Sequence, residues 1–495
     1  MKKPNILFIM TDQQRYDTLG CHGGRVHTPN LDSLAAQSAD LRAFFTQAPV
    51  CVPSRCNLFT GRYSHSHRVR QNHARLPHDE VHLFKVLKQA GYYSGYIEKN
   101  HLLADQEMRN FDYLDMEEQR SHDEERTAFW QFRASRLKAL SEQGAWASAA
   151  FHDFDEKHTD TWISGESACA FLDTVPADKP FCLTVSFADP HVPHIAPRRF
   201  EQMYPLDQME LPGVPAEALN SKAPRFRIKR HVQQIDQASE QDKKRYLAVY
   251  YSMISFVDEQ IGKILARLDQ KNLRDNTIIV FTSDHGDFAF NYDMCKKDLV
   301  LLDVLLHVNC LISFPKKIKS GIYDKTMAEQ IDIVPTLLDL CGLEIPFGCQ
   351  GASLMPLLSR QCTRHKDKVY AEICPPHYRN PYHTPEEFLA AWNTGHADPA
   401  HPLYGTSRFN IPGDYSKMVR TPTHKYIWYA GGFEELYNLT EDAEELVNLA
   451  GDNRYAEIKT TLKEKLLLWN LETEDPRDSW HQGKQELQYS RWLRS

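Results

Sequence analysis

Cys51-Val52-Pro53-Ser54-Arg55-Cys56-Asn57-Leu58-Phe59-Thr60-Gly61-Arg62 is the stretch on which the reading of this chain turns. Pro53 suits the first turn of a helix, so a helix is expected to begin near it, with Cys51 just ahead. The free N–H groups of that turn favour negative charge, and Arg55 one turn on lies on the face beside Cys51. The turn is therefore built to meet an anion. A cysteine by itself is usually a small buried hydrophobe; the neighbours of Cys51 argue instead for chemistry.

Working outward, the chain repeatedly offers a buried strand that ends in polar residues. Ile6 to Met10 runs into Thr11-Asp12-Gln13, Tyr92 to Ile97 into Glu98-Lys99-Asn100-His101, Phe181 to Ala188 into Asp189-Pro190-His191, and Thr277 to Thr282 into Ser283-Asp284-His285. In open α/β sheets ligands gather at the carboxyl ends of strands, so these four ends are expected at one site. Between them lie helical patterns: Thr28-Pro29 opens one with Leu31, Leu34 and Ala35 on a face, and Leu83 to Ala90 is another. Leu247, Tyr251, Ile254, Val257, Ile261, Ile264 and Leu268 recur at steps of three or four and predict one long packed helix. Leu41 to Thr46 and Cys310 to Phe314 read as further strands. The charged stretch from about Asp105 to Lys157 has helical composition and reads as a surface insertion that helps shape a pocket.

This alternation predicts an α/β fold, a large, mostly parallel sheet flanked by helices. After about Leu358 the composition shifts to Pro, His and aromatic residues, which marks a boundary. Strands around Lys425 to Tyr429 and Glu435 to Leu439, then a helix from about Tyr455 to Trp469, suggest a smaller C-terminal α+β domain. Residues 1–365 are taken as the catalytic unit and 366–495 as the smaller domain and tail.

A chain of 495 residues is too long for one small core, which agrees with that division. The hydrophobic content of 42% and charged content of 25% are those of an ordinary globular protein. A net charge of -8 argues against nucleic acid as a partner. No apolar run reaches membrane-spanning length, so no membrane is expected, and Ile6 to Met10 is too short for a signal sequence. Eleven cysteines without regular spacing suggest reduced thiols and a cytoplasmic location.

The Cys-x-Pro-Ser-Arg turn followed by Leu-Phe-Thr-Gly-Arg resembles the signature of the formylglycine-dependent sulfatases, part of the alkaline phosphatase superfamily. Thr-Asp near the start, Gly-Tyr before Lys-x-His, Pro-His-x-Pro, Ser-Asp-His-Gly and Glu-Leu-Tyr-Asn-Leu near the end occur in the family's order, so the resemblance spans nearly the whole chain. It implies that a formylglycine-generating maturation enzyme converts Cys51 to an aldehyde, whose hydrate attacks the sulfur of a small-molecule sulfate ester, a sulfated sugar or an aryl sulfate. It also implies a divalent metal held by Asp12, Gln13, Asp284 and His285 with residue 51. Calcium is expected, with magnesium or manganese compatible because Gln13 replaces a common Asp and His285 a common Asn.

The resemblance further places Arg55, Lys99, His101, His191 and Lys297 at catalytic positions and Asn72 at substrate contact. A sulfate ester repels nucleophiles, so a metal and several cations must absorb charge as its S–O bond breaks. His191 and Lys297 are expected at the leaving oxygen, and His101 as the base that releases sulfate, with Asp284 an alternative. Lys296 competes with its neighbour Lys297 for that role. Glu98 stands where the family usually has Gly, which points to an altered pocket beside Lys99.

Other readings compete. The same nucleophile serves phosphonate monoester and phosphodiester hydrolases; retention of Lys99 and His101 favours the sulfatase. A binding protein with the fold alone would have lost Arg55 or a metal Asp. Cys51 could also act unmodified, as a thiol activated by the helix N-terminus and Arg55. The Trp- and Arg-containing tail from Ser479 to Leu493 would suit a homo-oligomer.

Overall fold

The computed structural model describes residues 3–120, 123–223, 225–374, 387, 390 and 415–474. Its centre is an eight-stranded mixed sheet. The strands are β1 (Asn5–Thr11), β2 (Ala39–Leu41), β3 (Tyr93–Glu98), β4 (Tyr113–Asp115), β5 (Phe181–Phe187), β6 (Thr277–Ser283), β7 (Cys310–Ser313) and β8 (Gly321–Tyr323). They lie in the order β8-β2-β7-β6-β1-β5-β3-β4. All neighbours are parallel except β7, which runs against both β2 and β6.

The central strands are apolar at nearly every position because both faces are covered. Ile6, Phe8 and Met10 of β1 point into one core and Leu7 and Ile9 into the other. The first core contains Val52, Cys56 and Phe59 of helix α2 (Cys51–Thr60), with Phe8 and Phe59 at a ring separation of 5.1 Å. The second is filled by α1 (Pro29–Ala36), α5 (Asp160–Thr174) and α6 (Glu240–Gln270). Val257, Ile261, Ile264 and Leu268 of α6 form the expected stripe, each burial contributing about 1.5–3 kcal/mol. A capping box between Ser239 and Asp242 starts α6. A charged residue at Ile261 would put an unpaired charge in this core and unseat the helix.

Register carries the functional residues to one edge. Thr11 pairs with both Ser283 and Phe187, and Glu98 pairs with Ser186, so the residues after β1, β3, β5 and β6 emerge side by side.

Several local expectations are corrected. Helix α2 begins at Cys51 itself, two residues before Pro53, so the cysteine sits in the helix's first turn. The strand expected over Leu41 to Thr46 is split into β2 and Phe44–Phe45, which pairs with Ala328–Glu329 in a separate small sheet. The charged stretch after Asp105 is more than a surface insertion: it supplies edge strand β4 and then α4 (Glu124–Gln143).

A second sheet, antiparallel, consists of β9 (Val369–Ile373), β10 (Ser416–Arg420), β11 (His424–Tyr429) and β12 (Glu434–Asn438). One face packs on Leu462, Leu466 and Trp469 of α8 (Ala456–Glu472). The other shares a core with Phe45, Val50, Leu305 and Leu306 of the main body. Asp303, next to β7, binds both Arg420 (2.7 Å) and Lys425 (2.8 Å), which ties the two sheets together. The tail from Ser479 to Leu493 lies outside the described residues.

Candidate active site

The carboxyl ends of β1 and β6 bring Asp12 and Asp284 beside the first turn of α2. Both carboxylates are fully buried, as is the Arg55 guanidinium, which reaches Asp12 at 3.1 Å and Asp284 at 3.1 Å. Two further N–H groups go to the Ser186 hydroxyl (2.6 Å) and the Lys99 carbonyl (3.1 Å). Four of the five donors of Arg55 thus serve the protein, and its main effect on a bound anion is exerted through the carboxylates it orients. Ser54, the next residue back, donates to the Asp284 carbonyl (2.6 Å) and locks α2 onto β6.

Cys51 lies at the centre, 1% exposed. Its Sγ is 2.8 Å from Lys297 Nζ, 3.4 Å from His285 Nε2 and 3.5 Å from Asp12 Oδ1. Burial and Asp12 push its thiol pKa up, but Lys297, Lys99 and His285 together hold it well below the usual value. Lys99 Nζ is 2.9 Å from Asp12 Oδ2, and His191 Nε2 is 4.0 Å from Asp12 Oδ1. Burial opposes the charge on Asp12, yet Lys99, Lys297 and Arg55 keep it ionised. Asp284 has less help: burial and Asp12 push it up to about 6.

Burial pushes His191 down to about 3, with Lys297 and Lys99 adding to the effect, whereas Asp284 raises His285 above its ordinary value against burial. His191 Nδ1 is 2.7 Å from the Val192 carbonyl. A carbonyl only accepts, so Nδ1 carries the proton and Nε2 presents its lone pair to the site. His285 is fixed in the same way by the Gly286 carbonyl at 2.9 Å. His101 sits beside Cys51 with its pKa lowered by burial, and its Nδ1 is buried without a hydrogen-bond partner.

Gln13 adopts φ 69, a left-handed backbone that costs a non-glycine residue about 1–3 kcal/mol. That twist sends its amide back to Asp287, while its Oε1 accepts from Lys297 Nζ at 3.1 Å. Glu98 (φ 74), His101 (φ 45) and Lys296 (φ 62) are left-handed as well, so strained backbone is concentrated around this site. The choice between the two lysines is resolved geometrically: Lys297 reaches Cys51, whereas the Lys296 backbone N–H binds Asp287 at 3.1 Å and its side chain is buried near Lys229. The Asn72 Oδ1 accepts the Val52 N–H at 3.0 Å, in the first turn of α2.

Ligand atoms of Asp12, Cys51, Asp284 and His285 all lie within 4.8 Å of one another and are buried. Two buried carboxylates and an outward-facing imidazole nitrogen fit a divalent cation, which would relieve the mutual repulsion that lifts Asp284.

Above this floor opens a cavity of about 670 Å³, entered past Lys99, His101 and His191. Its far wall is α4, whose Phe129, Arg133 and Leu137 fall at steps of four on one face. Arg75 and Arg109 line it too. None of the three arginines is singled out by the sequence; the four-residue step along α4 was the available signal. Glu98, at the floor, is paired with Arg120 at 2.9 Å. Arg120 also faces Asp115 and Asp160, so one guanidinium serves three carboxylates. Burial and Asp160 accordingly push Glu98 up to about 8 despite the ion pair.

Comparison with known proteins bears directly on this arrangement. The sulfatase family profile matches residues 4–343, which include β1, the Cys51 turn and the Ser283-Asp284-His285 strand end. The chain is 26% identical to the uncharacterized sulfatase YidJ of Escherichia coli strain K12, over 96% of this chain and 89% of that one. In fold it is similar to the phosphonate monoester hydrolase of Silicibacter pomeroyi, with a TM-score of 0.78 and 22% identity over 96% of this chain and 97% of the other. A protein solved in complex with its substrate D-glucosamine-2-N,6-O-disulfate gives a TM-score of 0.71 at 22% identity, covering 96% and 99%. The chain belongs to the sulfatase family and is a sulfuric ester hydrolase.

Proposed function

We propose that this sulfatase hydrolyses a small sulfate ester, a sulfated sugar or an aryl sulfate, through formylglycine made from Cys51 by a maturation enzyme. The observation that carries the reading is the convergence on Cys51 Sγ of Lys297, His285 and Asp12 within 3.5 Å. An aldehyde at this position supplies, as its hydrate, a hydroxyl nucleophile at the mouth of a positive α2 N-terminus.

Asp12, Asp284, His285 and residue 51 would hold the divalent metal, with Gln13 beside them. Calcium suits the carboxylate oxygens best, and magnesium or manganese is compatible with the imidazole. Such an ion withdraws charge from the sulfate oxygens. Lys99 and Lys297, both nearly buried, face the same anion, and removal from water strengthens their pull as the S–O bond lengthens. Lys297 and His191 flank the leaving oxygen. Lys297, whose pKa is raised by Cys51 and Asp12 against burial, remains a charged donor there. His101 is the base that takes the proton when sulfate departs, since its imidazole, its pKa lowered by burial, lies within hydrogen-bonding reach of residue 51. Arg55 is a positioning residue for Asp12 and Asp284, and Asn72 supports the first turn of α2.

Eleven free thiols without a disulfide support a reducing, cytoplasmic setting. Among the described residues no helix is long and apolar enough to cross a membrane. Residues 1–365 form the catalytic domain in this reading and 366–495 the smaller one, with a homo-oligomer compatible.

Rates on an aryl sulfate and on an aryl phosphonate monoester, together with mass analysis of the Cys51 peptide, test the proposal. Sulfate release by protein carrying the aldehyde supports it. Strong preference for the phosphonate, or full activity with an intact thiol, overturns it.

A further inference from the structure

Three arginines on separate segments converge on the cavity without a strong partner of their own. Arg75 spends one N–H on the Ala74 carbonyl (3.0 Å), and among the described residues neither Arg75 nor Arg109 has an ion-pair partner. Arg133 meets Glu117 only at 3.8 Å and stacks over Trp130 at 4.6 Å. The segments are not loosely placed. The Leu76 N–H donates to the Leu102 carbonyl at 3.0 Å, which pins Arg75 beside His101. Arg109 ends the short helix Asp105–Met108, and Arg133 is fixed by α4.

The cavity's acidic residues do not cancel this charge. Glu98 and Asp160 are engaged by Arg120, and Asp160 also by Arg126 at 2.7 Å. Asp189 takes the Thr161 hydroxyl, and burial pushes its carboxyl up to about 7 although Arg133 and Lys99 both pull it down. Asp189 and Arg133 line the same cavity as Lys99, which brings the arginine to a ligand seated there. Of the wall's other carboxylates, Glu117 faces Arg133 at 3.8 Å and Asp105 has no ion pair among the described residues, so two acids stand against three arginines.

We propose that Arg75, Arg109 and Arg133 form a second anion subsite in the cavity, one that takes a further sulfate or a carboxylate carried by the same substrate molecule. This rests on the sulfate-ester reading above. Guanidinium forks match both anions in two-point hydrogen bonds, and a cavity of about 670 Å³ has room for a sugar bearing such a group. The substrate class is then an anionic sugar with at least two negative groups, of which the one at residue 51 is cleaved.

Binding is measured on full-length protein carrying Cys51→Ala, which keeps the cavity and cannot turn over. One pair of probes is D-glucosamine-2-N,6-O-disulfate and glucosamine 6-sulfate; the other is a monosulfated disaccharide containing a uronate and its carboxyl-reduced counterpart. The more anionic member of at least one pair is expected to bind about tenfold tighter, and the pair that shows it tells sulfate from carboxylate. Adding Arg133→Gln should reduce that preference to about twofold or less, a loss of about 1 kcal/mol. Arg109→Gln and Arg75→Gln, at exposed positions where folding is insensitive, should each reduce it part of the way. Equal affinity within both pairs, or a preference that survives all three substitutions, overturns the subsite. The hydrolase reading is tested separately, by sulfate release from wild-type protein.

Discussion

The floor of the site and its roof are built on opposite principles. On the floor the charges are buried or nearly so and ion-paired: Arg55 grips both Asp12 and Asp284, Lys99 meets Asp12, and Lys297 lies against Cys51, Gln13 and Asp12. On the roof, Arg75 and Arg109 are exposed and have no ion pair among the described residues, and Arg133 is held weakly. The floor is set by the ends of central strands, which cannot move without breaking the sheet. On the roof, Arg109 and Arg133 come from the segment between β3 and α5 and Arg75 from the stretch before β3, so changes there leave the central strands intact. Chemistry that must be exact in geometry sits on rigid strands, and recognition that must suit one substrate sits on a peripheral helix.

Breaking the floor should have the larger effects. Cys51→Ala is expected to lower kcat on an aryl sulfate by about a thousandfold or more, since the nucleophile is lost. Chelation followed by gel filtration should lower it by about a hundredfold, with recovery on adding calcium, because the metal's share of charge stabilisation amounts to several kcal/mol. Recovery with magnesium alone would reassign the ion. Arg55→Met leaves two carboxylates facing each other in the dry interior, and urea unfolding should show a loss of about 3–5 kcal/mol. The matching change on the roof, Arg109→Gln, should stay within about 0.5 kcal/mol of wild type. Similar losses at both positions would erase the contrast.

The smallest predicted effect lies where floor and roof meet. Glu98 has a folded-state pKa raised from 4.5 to about 8, chiefly by burial and then by Asp160. A raised pKa means that the folded state prefers the protonated acid. The resulting stability is complete below the unfolded value of 4.5 and is lost as pH rises through about 8. Glu98→Gln, which mimics the neutral acid, should therefore melt at a higher temperature relative to wild type at pH 8 than at pH 5. A difference that does not change with pH would show that Glu98 stays ionised beside Arg120.

Much of the floor was legible in the sequence because it rests on two strong local signals, apolar runs that can only be strands covered on both faces and polar residues following each run. Asp12, Lys99, His191 and Asp284 were found that way. The direction of β7 was not legible: an apolar run such as Cys310 to Phe314 reads the same parallel or antiparallel, and only the connection decides. The split of β2 from Phe44–Phe45 escaped for a similar reason, since Leu41 to Thr46 carries no turn residue. Arg75, Arg109 and Arg133 were hidden because in highly charged segments an inward-facing arginine looks like its solvated neighbours. The start of α2 at Cys51 rather than near Pro53 shows the ordinary uncertainty of helix ends.

All ten residues of α2 are buried, and its first residue lies deep in the site against Asp12, Lys297 and His285. A second protein cannot approach that sulfur once the sheet has closed over it. An enzyme that edited residue 51 would have to do so on the nascent or unfolded polypeptide, with editing first and closure afterwards.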